Sequence, residues 1–101
     1  LNVVKVPVKR LDNVLNDLGI SSIDVLWLDT QGTELKVLEG LGSILDTVKC
    51  IHTEACPKQY YKGHILKEEL ETFLHNKGFN TEFKPAKGHP YGEGDLICTR
   101  K

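Results

Sequence analysis

Asp29-Thr-Gln-Gly32-Thr-Glu34 follows directly on the apolar run Ile23-Asp-Val-Leu-Trp-Leu28. A short apolar run bounded by polar residues reads as a buried strand, and the pattern after it as the start of a helix. In a parallel α/β sheet, ligands bind in the crevice beyond the carboxyl ends of the strands. Asp29 therefore falls where chemistry would sit; otherwise it caps the following helix. Gly32 supplies the turn. Glu34 either faces a substrate or complements the positive end of the helix. Gln31 either hydrogen-bonds a bound cofactor or lies in a solvated turn.

A second set follows in Val48–Ala55. Alternation puts Cys50, His52 and Glu54 on one face of a strand and Ile51, Thr53 and Ala55 on the other. If this strand runs beside the first, Glu54 ends close to Asp29. Two adjacent carboxylates raise one another's pKa or share a divalent cation; otherwise Glu54 is a paired or solvated carboxylate. His52, Glu54 and Cys56 also alternate, which suggests zinc. Same-face neighbours on a strand are ~7 Å apart, too far for one ion without bending. His64, His75 and His89 are isolated, so no metal ligands are assigned. Tyr60 and Tyr61 lie in the loop after this strand, where they either shape a substrate pocket or pack their rings on its rim.

The elements that must position these groups follow from periodicity. Val3–Val8 reads as extended, with Pro7 marking an edge or an end. Leu11, Val14, Leu15 and Leu18 give a short amphipathic helix ended by Gly19. Ile23–Leu28 is apolar on both faces, as for a strand covered on both sides. A helix over Thr33–Glu39 buries Leu35 and Leu38, and Ser43 caps a further turn with Ile44 and Leu45. Leu66, Leu70, Phe73 and Leu74 mark a helix ended by Gly78, its exposed face carrying Lys67, Glu68, Glu71 and His75. Phe79–Lys84 and Asp95–Arg100 flank a loop with no helix in it, so they pair as an antiparallel hairpin. Alternating strands and helices imply parallel right-handed crossovers, with this hairpin added at one edge.

A chain of 101 residues fits one domain. With a net charge of −1 it shows no electrostatic footprint for nucleic acid or an anionic membrane. No apolar run is long enough to span a bilayer. Three cysteines without a CxxC argue for reduced thiols and a cytoplasmic setting, Cys98 being a small core residue. The chain contains no Met, which suggests a piece of a longer polypeptide.

Four stretches, in order, resemble the C-terminal part of FkbM-type methyltransferases, and together they cover nearly the whole chain. Val8-Lys-Arg-Leu-Asp-Asn-Val-Leu15 looks like that family's "tLDdvL" element. Ile23-Asp-Val-Leu-Trp-Leu-Asp-Thr-Gln-Gly-Thr-Glu-Leu-Lys-Val-Leu-Glu-Gly40 is similar to its signature "iDllKiDvqGaElevLkG". Glu54, then Tyr60-Tyr-Lys-Gly63 and the helix to Gly78-Phe79, matches "E…lY.G…L…GF". Gly94-Asp-Leu-Ile-Cys-Thr-Arg100 resembles the closing "gDalyvr". Trp27 stands where a basic residue is usual, Thr30 and Thr33 where Val and Ala are frequent, and Arg10 where a capping Thr is usual.

The resemblance implies the C-terminal half of a Rossmann-like class I methyltransferase sheet, parallel strands plus an antiparallel edge hairpin. It implies one partial domain over residues 1–101, without the glycine-rich turn that holds S-adenosylmethionine. The implied activity is methyl transfer from that cofactor to a hydroxyl, such as that of a sugar, with the isolated piece inactive. Asp29 and Glu54 are then the catalytic candidates, Asp29 and Gln31 the cofactor contacts, and Glu34, Tyr60 and Tyr61 the substrate contacts. The expected partner is a small-molecule or glycan acceptor, with self-association through exposed sheet edges. The alternative is a non-catalytic interaction module that kept the sheet and lost the cofactor half.

Overall fold

The computed structural model describes residues 5, 7–30, 32–58, 65–88 and 92–101. Its elements are α1 (Leu11–Asp17), β1 (Val25–Leu28), α2 (Glu34–Gly40), a 3-10 helix (Gly42–Thr47), β2 (Cys50–Ala55), α3 (Lys67–Asn76), β3 (Phe79–Pro85) and β4 (Gly94–Arg100). They match the expected order of helices and strands, apart from the opening extended segment, much of which lies outside the described residues.

The strands form one mixed sheet in the order β1-β2-β4-β3. β1 and β2 are parallel, while β4 is antiparallel to both β2 and β3. Hence β1, β2 and β3 run the same way and β4 alone is reversed. The hairpin occupies one edge, as expected, with β3 outermost. Right-handed crossovers that step in one direction put their helices on one face. Leu38, Ile44, Leu45, Leu70 and Leu74 accordingly pack on Leu28, Ile51, Leu96, Cys98 and Phe79 in a single core.

Among the described residues no helix packs on the other face of the sheet. That face carries Val25 and Trp27 from β1, His52 and Glu54 from β2 and Asp95 and Ile97 from β4, as the pairing register and alternation require. Val25 is 65% exposed and Trp27 70%. The expectation that β1 is covered on both sides is therefore corrected. β1 is apolar throughout, but the crossover helices all lie on the face of Leu26 and Leu28. Two smaller expectations also change. Ser43 does not cap the 3-10 helix, whose N-cap is Leu41 with no side-chain cap bond. Lys67 and Glu71, assigned to an exposed face, form a half-buried ion pair of 2.7 Å.

Arg100 locks the far end of the sheet. Its guanidinium donates to the carbonyls of Val48 (Nε 3.1 Å, Nη2 2.7 Å), Leu45 (Nη2 2.7 Å) and Lys77 (Nη1 2.6 Å). It also lies 4.0 Å over the Phe79 ring. One side chain thus satisfies carbonyls at the ends of both the 3-10 helix and α3. Lysine offers one point charge and no planar fork. Arg100→Lys is expected to lower unfolding stability by about 2 kcal/mol, read by urea denaturation; an unchanged midpoint contradicts this role. At the opposite end β4 starts at Gly94, where a Cβ would overlap the Lys84 carbonyl oxygen and sit 2.6 Å from Pro85 Cα. The hairpin closes there only because no side chain is present.

Candidate active site

The signature turn is held by a carboxylate. Glu34 is 2% exposed. Its Oε2 accepts from Thr30 N (2.8 Å) and Thr30 Oγ1 (2.7 Å), and its Oε1 from Gly32 N (3.1 Å). Thr33 Oγ1 closes the loop by donating to the Thr30 carbonyl at 3.0 Å. Gly32 has φ +101°, a conformation strained for any L side chain. The next element is tied in as well, since Ile65 N donates to the Gly32 carbonyl at 3.0 Å. Strand, turn, helix and the approach to α3 are thereby fixed at one end of the sheet.

Both leading candidates lie toward that end. The parallel register runs Val25↔Cys50 to Leu28↔Thr53. One step further, Asp29 leaves β1 abreast of Glu54, which β2 in turn pairs with Asp95 on β4. Asp29 is exposed and Glu54 half-buried, so neither is sealed in the apolar interior. Gln31, Tyr60 and Tyr61 lie outside the described residues.

Two further carboxylates, Glu93 and Asp95, join this end and were not among the candidates read from sequence. Loss of hydration pushes the Glu93 carboxyl above its usual range, and the nearby charges of Asp29, Glu34 and Asp95 push the same way. Glu93 thus feels the charges of Asp29, Glu34 and Asp95. The acidic residues either side of Gly94 were a visible signal, but only the β2–β4 pairing shows where they point.

Below the carboxylates lies an aromatic pair. Trp27 stacks on His52 with ring centroids 3.9 Å apart and planes 15° apart. His52 Nε2 approaches Asp95 Oδ1 at 3.4 Å. His52 is thus engaged by its neighbours across the sheet, and among the described residues no group of three or more His, Cys, Asp or Glu could hold a metal ion. None of Cys50, Cys56 and Cys98 is in a disulfide. Cys98, fully buried, has its pKa pushed up to about 12 by loss of hydration, which makes it unreactive.

A groove of about 670 Å³ lies between the start of α1 and α2, lined by Lys9, Arg10, Val14, Thr33, Lys36 and Val37 among others. None of the clustered carboxylates lines it. No helix among the described residues is long and apolar enough to cross a membrane.

A family model described as the methyltransferase FkbM domain matches residues 1–81. The chain is also 34% identical over 95 residues to a protein of Sinorhizobium fredii named 2-O-methyltransferase NoeI. That alignment takes in 93% of this chain but only 37% of the relative's length. No solved structure matches.

Proposed function

The chain belongs to the FkbM methyltransferase domain family, and on that premise we propose that it forms the acceptor side of an S-adenosylmethionine-dependent O-methyltransferase. In this reading residues 1–101 are the C-terminal part of a Rossmann-like domain whose glycine-rich cofactor turn lies elsewhere in the whole protein. The three co-directional strands and single reversed strand support that architecture. The 2-O-methyltransferase name of the relative supports an oxygen acceptor. We extend this to a ring hydroxyl, as in a sugar.

The observation that carries the proposal is the end of the sheet. Asp29 and Glu54 each come one residue after the last paired residues Leu28 and Thr53 of the parallel strands, beside a turn that Glu34 locks from within. The acidic surroundings registered by Glu93 fit a positively charged donor. S-adenosylmethionine, when bound, supplies an electrophilic methyl group on a cationic sulfur. The work left to the protein is alignment, exclusion of water and removal of the acceptor's proton. Asp29 accepts that hydrogen bond or proton at the strand mouth. Glu54, partly desolvated beside it, orients the acceptor. Glu34 has its carboxylate committed to Thr30 and Gly32, and so acts by positioning Asp29.

Transfer of a labelled methyl group by the whole protein to hydroxylated acceptors tests the proposal. Transfer to nitrogen or carbon acceptors alone would contradict it. The isolated 101-residue chain is expected to show no such transfer.

A further inference from the structure

We propose that His52 is a positioning residue of the candidate site, holding the Asp95 side chain to itself so that Glu54 stays available to the acceptor. This role rests on the methyltransferase reading above and adds to it what keeps the carboxylates apart. Residues directly opposite on antiparallel strands have Cβ atoms about 4.5–5.5 Å apart, and like charges in such a pair repel. Glu54 and Asp95 are such a pair. His52 comes two residues before Glu54 on β2, so it shares that face and stands diagonal to Asp95. Its Nε2 is 3.4 Å from Asp95 Oδ1. Lys84 is paired with Asp95 from β3, yet among the described residues the ion-pair contact of Asp95 is with His52.

The imidazole is itself held. Trp27 pairs with His52 in the β1–β2 register, and the two rings stack 3.9 Å apart with planes 15° apart. Stacking occupies the face of the ring and leaves the nitrogens in its plane free to donate. An ionised carboxylate only accepts, so Nε2 carries the hydrogen whether the ring is neutral or charged. The His52 side chain is 23% exposed against 56% for Asp95, so the more enclosed partner fixes the freer one. The titratable groups around His52 are Asp95 on β4 and Cys50 and Glu54 on its own strand. Asp29 follows Trp27 by two residues, and Glu82 and Lys84 lie beyond β4 on β3. Carboxylates outnumber cations in this set, so losing His52 leaves the Asp95 charge uncompensated beside Glu54.

In the whole protein, His52→Phe keeps a ring against Trp27 and removes the donor. A like charge nearby disfavours an ionised carboxylate, and Asp29 and Glu54 work ionised. The acid limb of the kcat/KM profile for a hydroxylated acceptor is therefore expected to move up by roughly half to one pH unit. His52→Gln, which keeps a side-chain N–H, holds the limb nearer to the parent's. His52→Phe combined with Asp95→Asn returns it, because the charge that His52 restrained is gone. A limb unmoved by His52→Phe overturns the proposal. So does a shift that Asp95→Asn fails to reverse, which marks a general effect on the fold. Heteronuclear NMR of the parent's imidazoles needs no variant and is expected to show His52 protonated at Nε2; a neutral ring protonated at Nδ1 alone overturns the proposal as well. Transfer with an unmoved limb ends this role alone, whereas failure to methylate any hydroxylated acceptor ends the enzymatic reading and this role with it.

Discussion

Asp29→Asn in the whole protein is expected to lower the rate of methyl transfer by about two to four orders of magnitude, the range typical of a positioned acid–base group. Unfolding stability changes by about 0.5 kcal/mol or less, as for other exposed substitutions. The asymmetry follows from placement. Asp29 is exposed at the end of β1, outside the core that α2 and α3 make with the sheet. Asparagine keeps its size and can accept a hydrogen bond, but it cannot take a proton. Steady-state rates with a hydroxylated acceptor, alongside a urea melt, separate the two effects. Full activity in the variant removes Asp29 from the chemistry.

Glu34→Ala has the opposite profile. It removes the acceptor for Thr30 N, Thr30 Oγ1 and Gly32 N at once, in a place where the side chain is 2% exposed. Each buried donor left without a partner costs about 1–3 kcal/mol, and water entering the space returns part of it. A net loss of about 3 kcal/mol in urea unfolding is expected. Activity should fall as well, because Thr30 and Gly32 set the path of the backbone just after Asp29. The cost comes from breaking the turn, so Glu34→Gln, which keeps one carbonyl oxygen, recovers part of the stability. A Glu34→Ala protein as stable as the parent contradicts the turn-locking role.

Much of the fold was legible because its signals are local. Gly19 and Gly78 stop α1 and α3, and the apolar spacing of Leu70, Phe73 and Leu74 defines α3. Alternation through Phe79–Lys84 gives β3. What was not legible depends on contacts between strands. Val25 and Trp27 are apolar, so sequence reads β1 as buried on both sides, whereas only the handedness of the crossovers decides which face is covered. The stack of Trp27 on His52 needs the β1–β2 register, and the approach of His52 to Asp95 needs the β2–β4 pairing. Local pattern contains neither. The same limit applies to the site. Asp29 and Glu54 stood out as strand-end carboxylates, while Asp95 at the start of the closing strand, and Glu93 just before it, reach that end only through the long-range pairing of β4. Arg100 was visible as the last residue of a motif, but its three carbonyl partners lie more than twenty residues away.

The central claim is that Asp29 and Glu54 act on one acceptor in one site. A double-mutant cycle on methyl transfer by the whole protein, with Asp29→Asn, Glu54→Gln and the pair, measures it most directly. Groups that serve the same transition state are non-additive. The account predicts that the double variant is no more than about threefold slower than the slower single variant, with a coupling of roughly 1–3 kcal/mol. Losses that multiply, as for two independent sites, or a Glu54→Gln protein with unchanged turnover, would contradict it.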